Sequence, residues 1–408
     1  MADTPNIRHL LAFTEVARRG SVSAAARAIH ISQPAVSQEI ARIEASLGAQ
    51  LFERTALGLQ LTEAGEAVRI RIDRALAILQ DGLSDLLRAA AAMPRRDLLR
   101  RISSMQLLLL ATVVEQGSFA KAARELGRSR STVQKAVRQL EQTLRVALFE
   151  TTSHGLQPTR EAARLVFSTR LAFAEMRQAH CEAGLSRGTE VGSTVIGAMP
   201  LARSFLVPAA ILEFAKVHPA HTVCILDGPY ESLLVSLRSG AADVLVGALR
   251  SPAPAQDVSE EHLFDDPLAL VVRARHPLAS RQRVRTADLG RYAWVAPRRG
   301  SPLRRHYEDL LTLTQKTPRE AAVECNSLVA ARALLLASDR VMLLSAHQVH
   351  HELASGELVA LPHPKGPVSR AIGMTTRRNW RPTAVQVMLL DSIRRQAKRL
   401  AVQLSAAR

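Results

Sequence analysis

The sequence predicts a multi-domain chain: two tandem helical modules of one design, each followed by a linker helix, and then an α/β domain of two lobes. Three observations predict it. At 408 residues the chain exceeds the usual size of a single core. Slid against itself, it gives one ungapped match at an offset of 97 residues, with Gly20 on Gly117, Ser32 on Ser129 and Phe52 on Phe149, and 20 of 56 positions identical between 10–65 and 107–162. That is a duplicated module rather than a shared composition. From Val191 the texture changes to short apolar runs alternating with helical ones, the pattern of a parallel α/β sheet.

In the first copy, Leu10, Leu11, Phe13 and Val16 form a helical apolar stripe, and Gly20-Ser21 stops that helix and caps the next. The second helix, near 22–29, is rich in alanine, which suits close approach to a neighbour. After a turn at His30-Ile31, Ser32 is placed to N-cap a third helix with Pro34 in its first turn, where a missing amide proton costs nothing. Val36, Ile40, Ile43 and Leu47 face inward. The opposite face carries Gln33, Ser37, Gln38 and Arg42. Gln and Arg bond bidentately to base edges and Ser donates or accepts, so this face suits a major groove; a solvated polar surface is the bland alternative. LFERTALGLQLTEAG then reads as strand, turn, strand and a new helix capped by Thr62. Such a wing puts Arg54 near phosphates.

These residues carry a resemblance. SVSAAARAIHISQPAVSQEIARIEASLGAQLFERTALGLQLTEAGE resembles, nearly position for position, the N-terminal winged helix-turn-helix of LysR-type transcriptional regulators. The resemblance implies that Gln33, Pro34, Ser37, Gln38, Arg42 and Arg54 contact double-stranded DNA. The second copy keeps the scaffold, in GSFAKAARELGRS, LEQTL and LF, and changes the chemistry. Arg130, Ser131, Gln134 and Lys135 stand where the first copy has Gln33, Pro34, Ser37 and Gln38; Thr151 replaces the wing arginine and Arg145 a glycine. The second copy therefore either reads bases or serves to grip phosphate or to dimerise.

Each copy runs into a helix. Val68, Ile72, Leu76, Leu79, Leu83 and Leu86 recur at helical spacing, a seam that is either internal packing or, as the family implies, the linker helix joining two chains. We read it as the dimer seam, giving a homodimer or homotetramer that touches DNA at up to four places. Pro94 and Arg95-Arg96 break this helix, and GLSRGTEVG closes its counterpart. The expected domains are winged helix-turn-helix 5–65 and 102–162, linkers 66–93 and 163–186, and an effector domain 191–408, with lobe I at 191–266 and 370–408 and lobe II at 267–369.

The C-terminal half resembles the periplasmic-binding-protein-like effector domain of the same family. GAMPLARSFLVPAAI, LDGPYESLL, DVLVGALRSPAP and LFDDPLALVVRARHPLA are similar to the branch containing the galactose-binding-protein regulator. The resemblance implies a small-molecule effector in a cleft between lobes, lined by Met199, Pro200, Leu201, Arg203, Asp227, Gly228, Pro229 and Ala248 to Arg250, faced by Pro297, Arg298, Ser301 and Asn326. Met199 and Leu201 equally suit packing, Arg298 suits a solvated loop, and Asp227 suits a helix cap. An arginine with a carboxylate and an amide fits a small polar metabolite, a sugar or a hydroxylated acid.

The formal charge of +17 names no DNA-binding face, because basic and acidic residues number 10 and 10 over 1–92, 16 and 9 over 93–190, and 28 and 18 over 191–408. Cys181, Cys224 and Cys325 lie far apart, without metal-ligand spacing. A thiol switch using Cys224 and Cys325 is an alternative, although Cys224 within TVCIL reads as a buried inert thiol. His347 and His351 in HQVHHE are a weak metal pair. No nucleophile elbow, P-loop, HExxH or dinucleotide fingerprint occurs, so neither enzyme nor cofactor is expected. The N-terminus lacks a signal-peptide pattern and no run is long enough for a membrane span; a cytoplasmic chain is expected. The expected function is an effector-responsive, sequence-specific transcriptional regulator. The alternative is a DNA-bridging architectural protein without a ligand site.

Overall fold

The computed structural model describes residues 6–56, 58–89, 98–153, 155–185, 192–250, 255–313 and 322–406. They form two units, one built from residues up to Ser193 and the other mainly from Thr194 onward. In the first, α1 (Ile7–Arg19), α2 (Val22–Ile29) and α3 (Gln33–Leu47) lead to the hairpin β1 (Phe52–Thr55) and β2 (Gly58–Leu61), then to the long α4 (Glu63–Ala89). After the short α5 (Leu98–Arg101) the order recurs as α6 (Ser104–Gln116), α7 (Phe119–Glu125), α8 (Arg130–Leu144), β3 (Phe149–Thr152), β4 (Gly155–Pro158) and α9 (Arg160–Leu185).

Residues identical in both copies build the scaffold. Ser32 and Ser129 accept the amides of Ala35 and Thr132 at 3.3 and 3.1 Å, capping α3 and α8. Glu44 and Glu141 accept the amides of Leu51 and Leu148 at 2.7 and 2.8 Å, which satisfies a backbone donor at each helix-to-hairpin junction. Thr62 and Thr159 donate to the carbonyls of Gln50 and Ala147 at 2.8 and 3.0 Å. Both copies turn through left-handed residues after the second and third helices, but they place the glycine differently: His30 (φ 57°) stands against Gly127 (60°), and Gly48 (63°) against Arg145 (56°). Each non-glycine there costs about 1–2 kcal/mol.

The two long helices run antiparallel against each other. Arg71 donates to Gln178 (2.6 Å) and Glu182 (2.7 Å), Arg74 to Glu175 (2.9 Å), and farther along α4 Gly82 meets Ser168. Val68, Ile72, Leu76, Leu79, Leu83 and Leu86 are at most 7% exposed, inside one core that continues into Leu165, Val166, Ala172, Met176 and Ala179. The seam expected to join two chains is therefore covered by the same chain's second long helix. The physical reason is tethering: α9 offers an apolar face at an effective concentration that a separate chain does not match. The break at Pro94 and Arg95-Arg96, and the middle of GLSRGTEVG, lie outside the described residues.

In the second unit, β5 (Gly192–Ala198), α10 (Val207–Ala215), β6 (His221–Leu226), α11 (Tyr230–Arg238) and β7 (Val244–Ala248) precede a long crossing strand, β8 (Val258–Arg273). There follow α12 (Thr286–Leu289), β9 (Val295–Ala296), α13 (Pro302–Thr312), β10 (Val323–Glu324), α14 (Leu328–Ala337), β11 (Met342–Ser345), α15 (His350–Ala354) and β12 (Leu358–Leu361). A second crossing strand, β13 (Val368–Arg377), returns the chain to α16 (Ala384–Ala406). One sheet runs β11-β8-β13-β7-β5-β6, with β12 also on β8. It is mixed rather than parallel as expected: β8 pairs antiparallel with β11, β12 and β13, and β13 with β7, whereas β5 and β7 are parallel. A strand that leaves the first lobe and one that returns to it must run in opposite directions. Separate cores flank the crossing, one around Leu233, Leu237 and Leu245 and another around Leu270, Trp294, Tyr307 and Leu343.

One smaller expectation fails. TVCIL forms the edge strand β6, so Cys224 is exposed rather than buried. His347 lies in a 3-10 turn and His351 in α15, and among the described residues no three His, Cys, Asp or Glu side chains are placed to hold a metal ion.

A Cβ on Gly82 would overlap the side chain of Ser168. Overpacking of this kind costs about 1–3 kcal/mol. Gly82→Ala combined with Ser168→Gly in a denaturant double-mutant cycle should show a favourable coupling of about 1 kcal/mol or more; strict additivity would contradict the close approach.

Candidate functional site

α3 is held by its buried side, with Val36, Ile40, Ile43 and Leu47 in the core, and this fixes what its other side presents. Gln33, Pro34, Ser37, Gln38 and Arg42 are all exposed, as is Arg54 on β1. None of the polar side chains among them has a hydrogen-bond or ion-pair partner within the described chain. Their donors and acceptors remain available. On α8, Arg130 and Lys135 are exposed and equally without partners, Gln134 is half-buried, and the Ser131 hydroxyl is engaged with Ser129 at 2.9 Å. The second face is thus more cationic and offers less directed hydrogen bonding.

In the second unit a cavity of about 690 Å³ opens between the lobes. Met199, Pro200, Leu201, Arg203, Asp227, Gly228, Pro229, Ala248 and Arg250 line it from one lobe, and Pro297, Arg298, Ser301 and Asn326 from the other. Of the residues expected at a cleft, all but Leu249 are brought together. Arg203 sits in a single π-helical turn, Ala202–Leu206, a distortion frequent at functional positions. Its guanidinium is paired with Asp227. Arg250 lies 4.2 Å over the Tyr230 ring and donates to the carbonyl of Gly300 at 2.9 Å, linking the lobes at the cavity wall. Ser301 donates to the carbonyl of Arg298 at 2.8 Å, and the Arg298 guanidinium is exposed, without a partner among the described residues.

Three lining residues escape sequence reasoning. Arg370 on β13 stands opposite Asp266 on β8, which is 0% exposed; they pair at 3.0 Å, Ser345 donates to the same carboxylate at 2.6 Å, and Arg370 also reaches Gln348 at 3.3 Å. Only strand register joins positions 104 residues apart, so no local pattern reveals them. Tyr230 is the third: burial, with help from the nearby Glu260 and against the Arg250 guanidinium beside it, pushes its phenol up to about 12. It offers a neutral donor to whatever enters. Burial likewise holds the His347 imidazole below its ordinary value, against the weak opposing pull of Asp266.

The cavity wall carries Arg203, Arg250, Arg298, Arg299 and Arg370 against Asp227 and Glu231. With Arg203 and Arg370 neutralised by their partners and Arg299 3.9 Å from Glu324, the guanidinium groups of Arg250 and Arg298 have no carboxylate partner among the described residues. Such a wall attracts an anion.

The first unit displays unpartnered polar helix faces and the second encloses a cationic cavity, features compatible with the class of transcriptional regulators. The model of the LysR substrate binding domain matches residues 187–398, and that of the bacterial regulatory helix-turn-helix protein, lysR family, matches residues 7–66 and 105–163. The chain belongs to the LysR family of transcriptional regulators and is not an enzyme. It is 35% identical over 392 residues to the HTH-type transcriptional regulator GalR of Pseudomonas putida, covering 96% of this chain and 97% of that protein. It is 30% identical over 302 residues to the regulator PcaQ of Agrobacterium fabrum, covering 74% and 97%. The fold matches that of CbnR, a LysR family transcriptional regulator, with a TM-score of 0.53 at 19% identity over 72% of this chain and 99% of CbnR. Among the described residues no helix is long and apolar enough to cross a membrane.

Removing one partner of a buried ion pair costs about 3–5 kcal/mol because a charge is left uncompensated. Asp266→Ala should lose that much in denaturant unfolding, and the double variant Asp266→Ala with Arg370→Met should recover most of it. A harmless Asp266→Ala would contradict the role of the pair at the crossing strands.

Proposed function

We propose that this chain is a sequence-specific, cytoplasmic transcriptional regulator with two tandem winged helix-turn-helix domains, whose operator binding is modulated by a small polar metabolite held in a periplasmic-binding-protein-like cleft. The observation that carries it is the α3 face, where Gln33, Ser37, Gln38 and Arg42 stand exposed and unpartnered on a helix whose other side is locked in the core. Preorganised, free donors and acceptors on a protruding helix are what base readout needs. Copy one reads bases, and copy two, through Arg130 and Lys135, grips phosphate.

The effector is an acid. Arg250 and Arg298 offer charge-assisted bonds to a carboxylate, Tyr230 and Asn326 offer neutral partners to hydroxyls, and Met199, Leu201 and Leu344 cover the carbon skeleton. A hydroxylated acid therefore fits better than a neutral sugar. The likeness to the galactose-binding-protein-regulator branch supports the cleft rather than a particular ligand. Association into a homodimer rests on the effector unit, where Leu212, Val217 and Val235 are exposed beside the edge strand β6, since the linker seam is already filled.

On a selected operator, Gln33→Ala or Ser37→Ala should cost about 1–3 kcal/mol, with little change on random DNA; equal losses on both would remove base readout from α3. For the cavity, Arg298→Ala should weaken a hydroxylated acid by about tenfold or more, equivalent to about 1.4 kcal/mol, without lowering basal operator binding. Calorimetry and gel shift on one preparation decide it: undiminished acid binding in Arg298→Ala would exclude that guanidinium from the site.

A further inference from the structure

Two reading helices in one chain raise the question of how they are combined on DNA, and any answer rests on the DNA-binding function proposed for the chain. Positions that the repeat makes equivalent touch each other. The amide of Ile7 donates to the hydroxyl of Ser104 at 3.0 Å, and the two are 97 residues apart, the offset of the repeat itself. Along the long helices, Gly82 packs on Ser168, which is the second-copy equivalent of Arg71, while Arg71 bonds Gln178, one position from the equivalent of Gly82. Contact between equivalent positions, and exchange of partners across the crossing, are the marks of a local two-fold axis.

We infer that a single chain is a complete two-fold DNA-reading head with unlike halves, so that α3 and α8 of one chain occupy the two half-sites of one operator that lacks inversion symmetry. Two-fold readers assembled from identical chains recognise inverted repeats because their halves are identical. Here the halves differ where they would meet DNA: Gln33 corresponds to Arg130, Gln38 to Lys135 and the wing Arg54 to Thr151. One half-site carries base information. The other is held chiefly through phosphate and tolerates sequence change. The pseudo-axis also dictates that the two half-sites are approached in opposite orientations.

Selection from a random duplex library with the full-length chain tests this. The wild type should select one defined half-site flanked on one side by a protected stretch of little preference. A chain whose α8 face is converted to that of α3, by Arg130→Gln, Ser131→Pro, Gln134→Ser, Lys135→Gln and Gln139→Arg, should select an inverted repeat of that half-site and bind it at least tenfold tighter than the wild-type site. Circular dichroism establishes that the converted chain is folded. Should it not fold, Arg130→Gln with Lys135→Gln alone should shift preference the same way by several-fold. An inverted repeat selected by the wild type, or a motif unchanged in a folded converted chain, would overturn the inference and leave the DNA-binding reading standing. Failure of the wild type to select any sequence would overturn both.

Discussion

Where Gly82 of α4 meets Ser168 of α9, two helices of one chain approach so closely that even a methyl group has no room, and the arrangement of the first unit depends on that contact. It lets the stripe from Val68 to Leu86 bury itself against the same chain, at about 1.5–3 kcal/mol for each large apolar side chain removed from water. It also brings Arg71 to a buried position where Gln178, Glu175 and Glu182 satisfy its donors. Such a polar cluster adds little net stability, but it penalises any sliding of one helix along the other. The helix pair therefore sets both how far apart and how oriented α3 and α8 are held, because inward residues of both helices, Ile40, Ile43 and Leu47 with Leu140 and Leu144, belong to the same core as the two long helices.

The second unit solves a different problem with an analogous device. Two lobes must be joined so that a cavity remains between them, and the joint consists of β8 and β13, paired in register with Asp266 opposite Arg370. The carboxylate is fully buried, and each of its oxygens accepts one bond, from Ser345 and from Arg370. A charged group at the joint gives the cavity floor a fixed polarity. Around it, the arginines without carboxylate partners supply the attraction and Tyr230 a protonated hydroxyl. A ligand bound there alters DNA affinity only to the extent that it prefers one state of the chain, so affinity and response are linked by necessity.

Much of this was legible in the sequence. The period of Val36, Ile40, Ile43 and Leu47 identifies the inward face of α3, and Ser32, Pro34 and Thr62 mark its start and the start of α4, because capping and burial are local effects. The seam residues were legible too, but not what covers them: an apolar stripe records that it is buried and not by which helix. Strand direction was misread because alternation of strands and helices looks the same whether a long crossing strand runs with its neighbours or against them. Arg370 and Gln348 were invisible for a related reason, since they reach the cavity through register across the sheet. Cys224 shows the limit of composition, an apolar run that lies on a sheet edge.

Closure of the helix pair within one chain is tested most directly by covalent capture across the local axis. With Cys181, Cys224 and Cys325 replaced by serine, Ile7→Cys and Ser104→Cys put one thiol on each of two residues that touch, the backbone amide of Ile7 lying 3.0 Å from the Ser104 hydroxyl. Mild oxidation followed by non-reducing electrophoresis should give a cross-linked product of single-chain mass at every protein concentration. Covalent dimers, growing with concentration at the expense of that product, would show that the two copies pair between chains and would contradict the account.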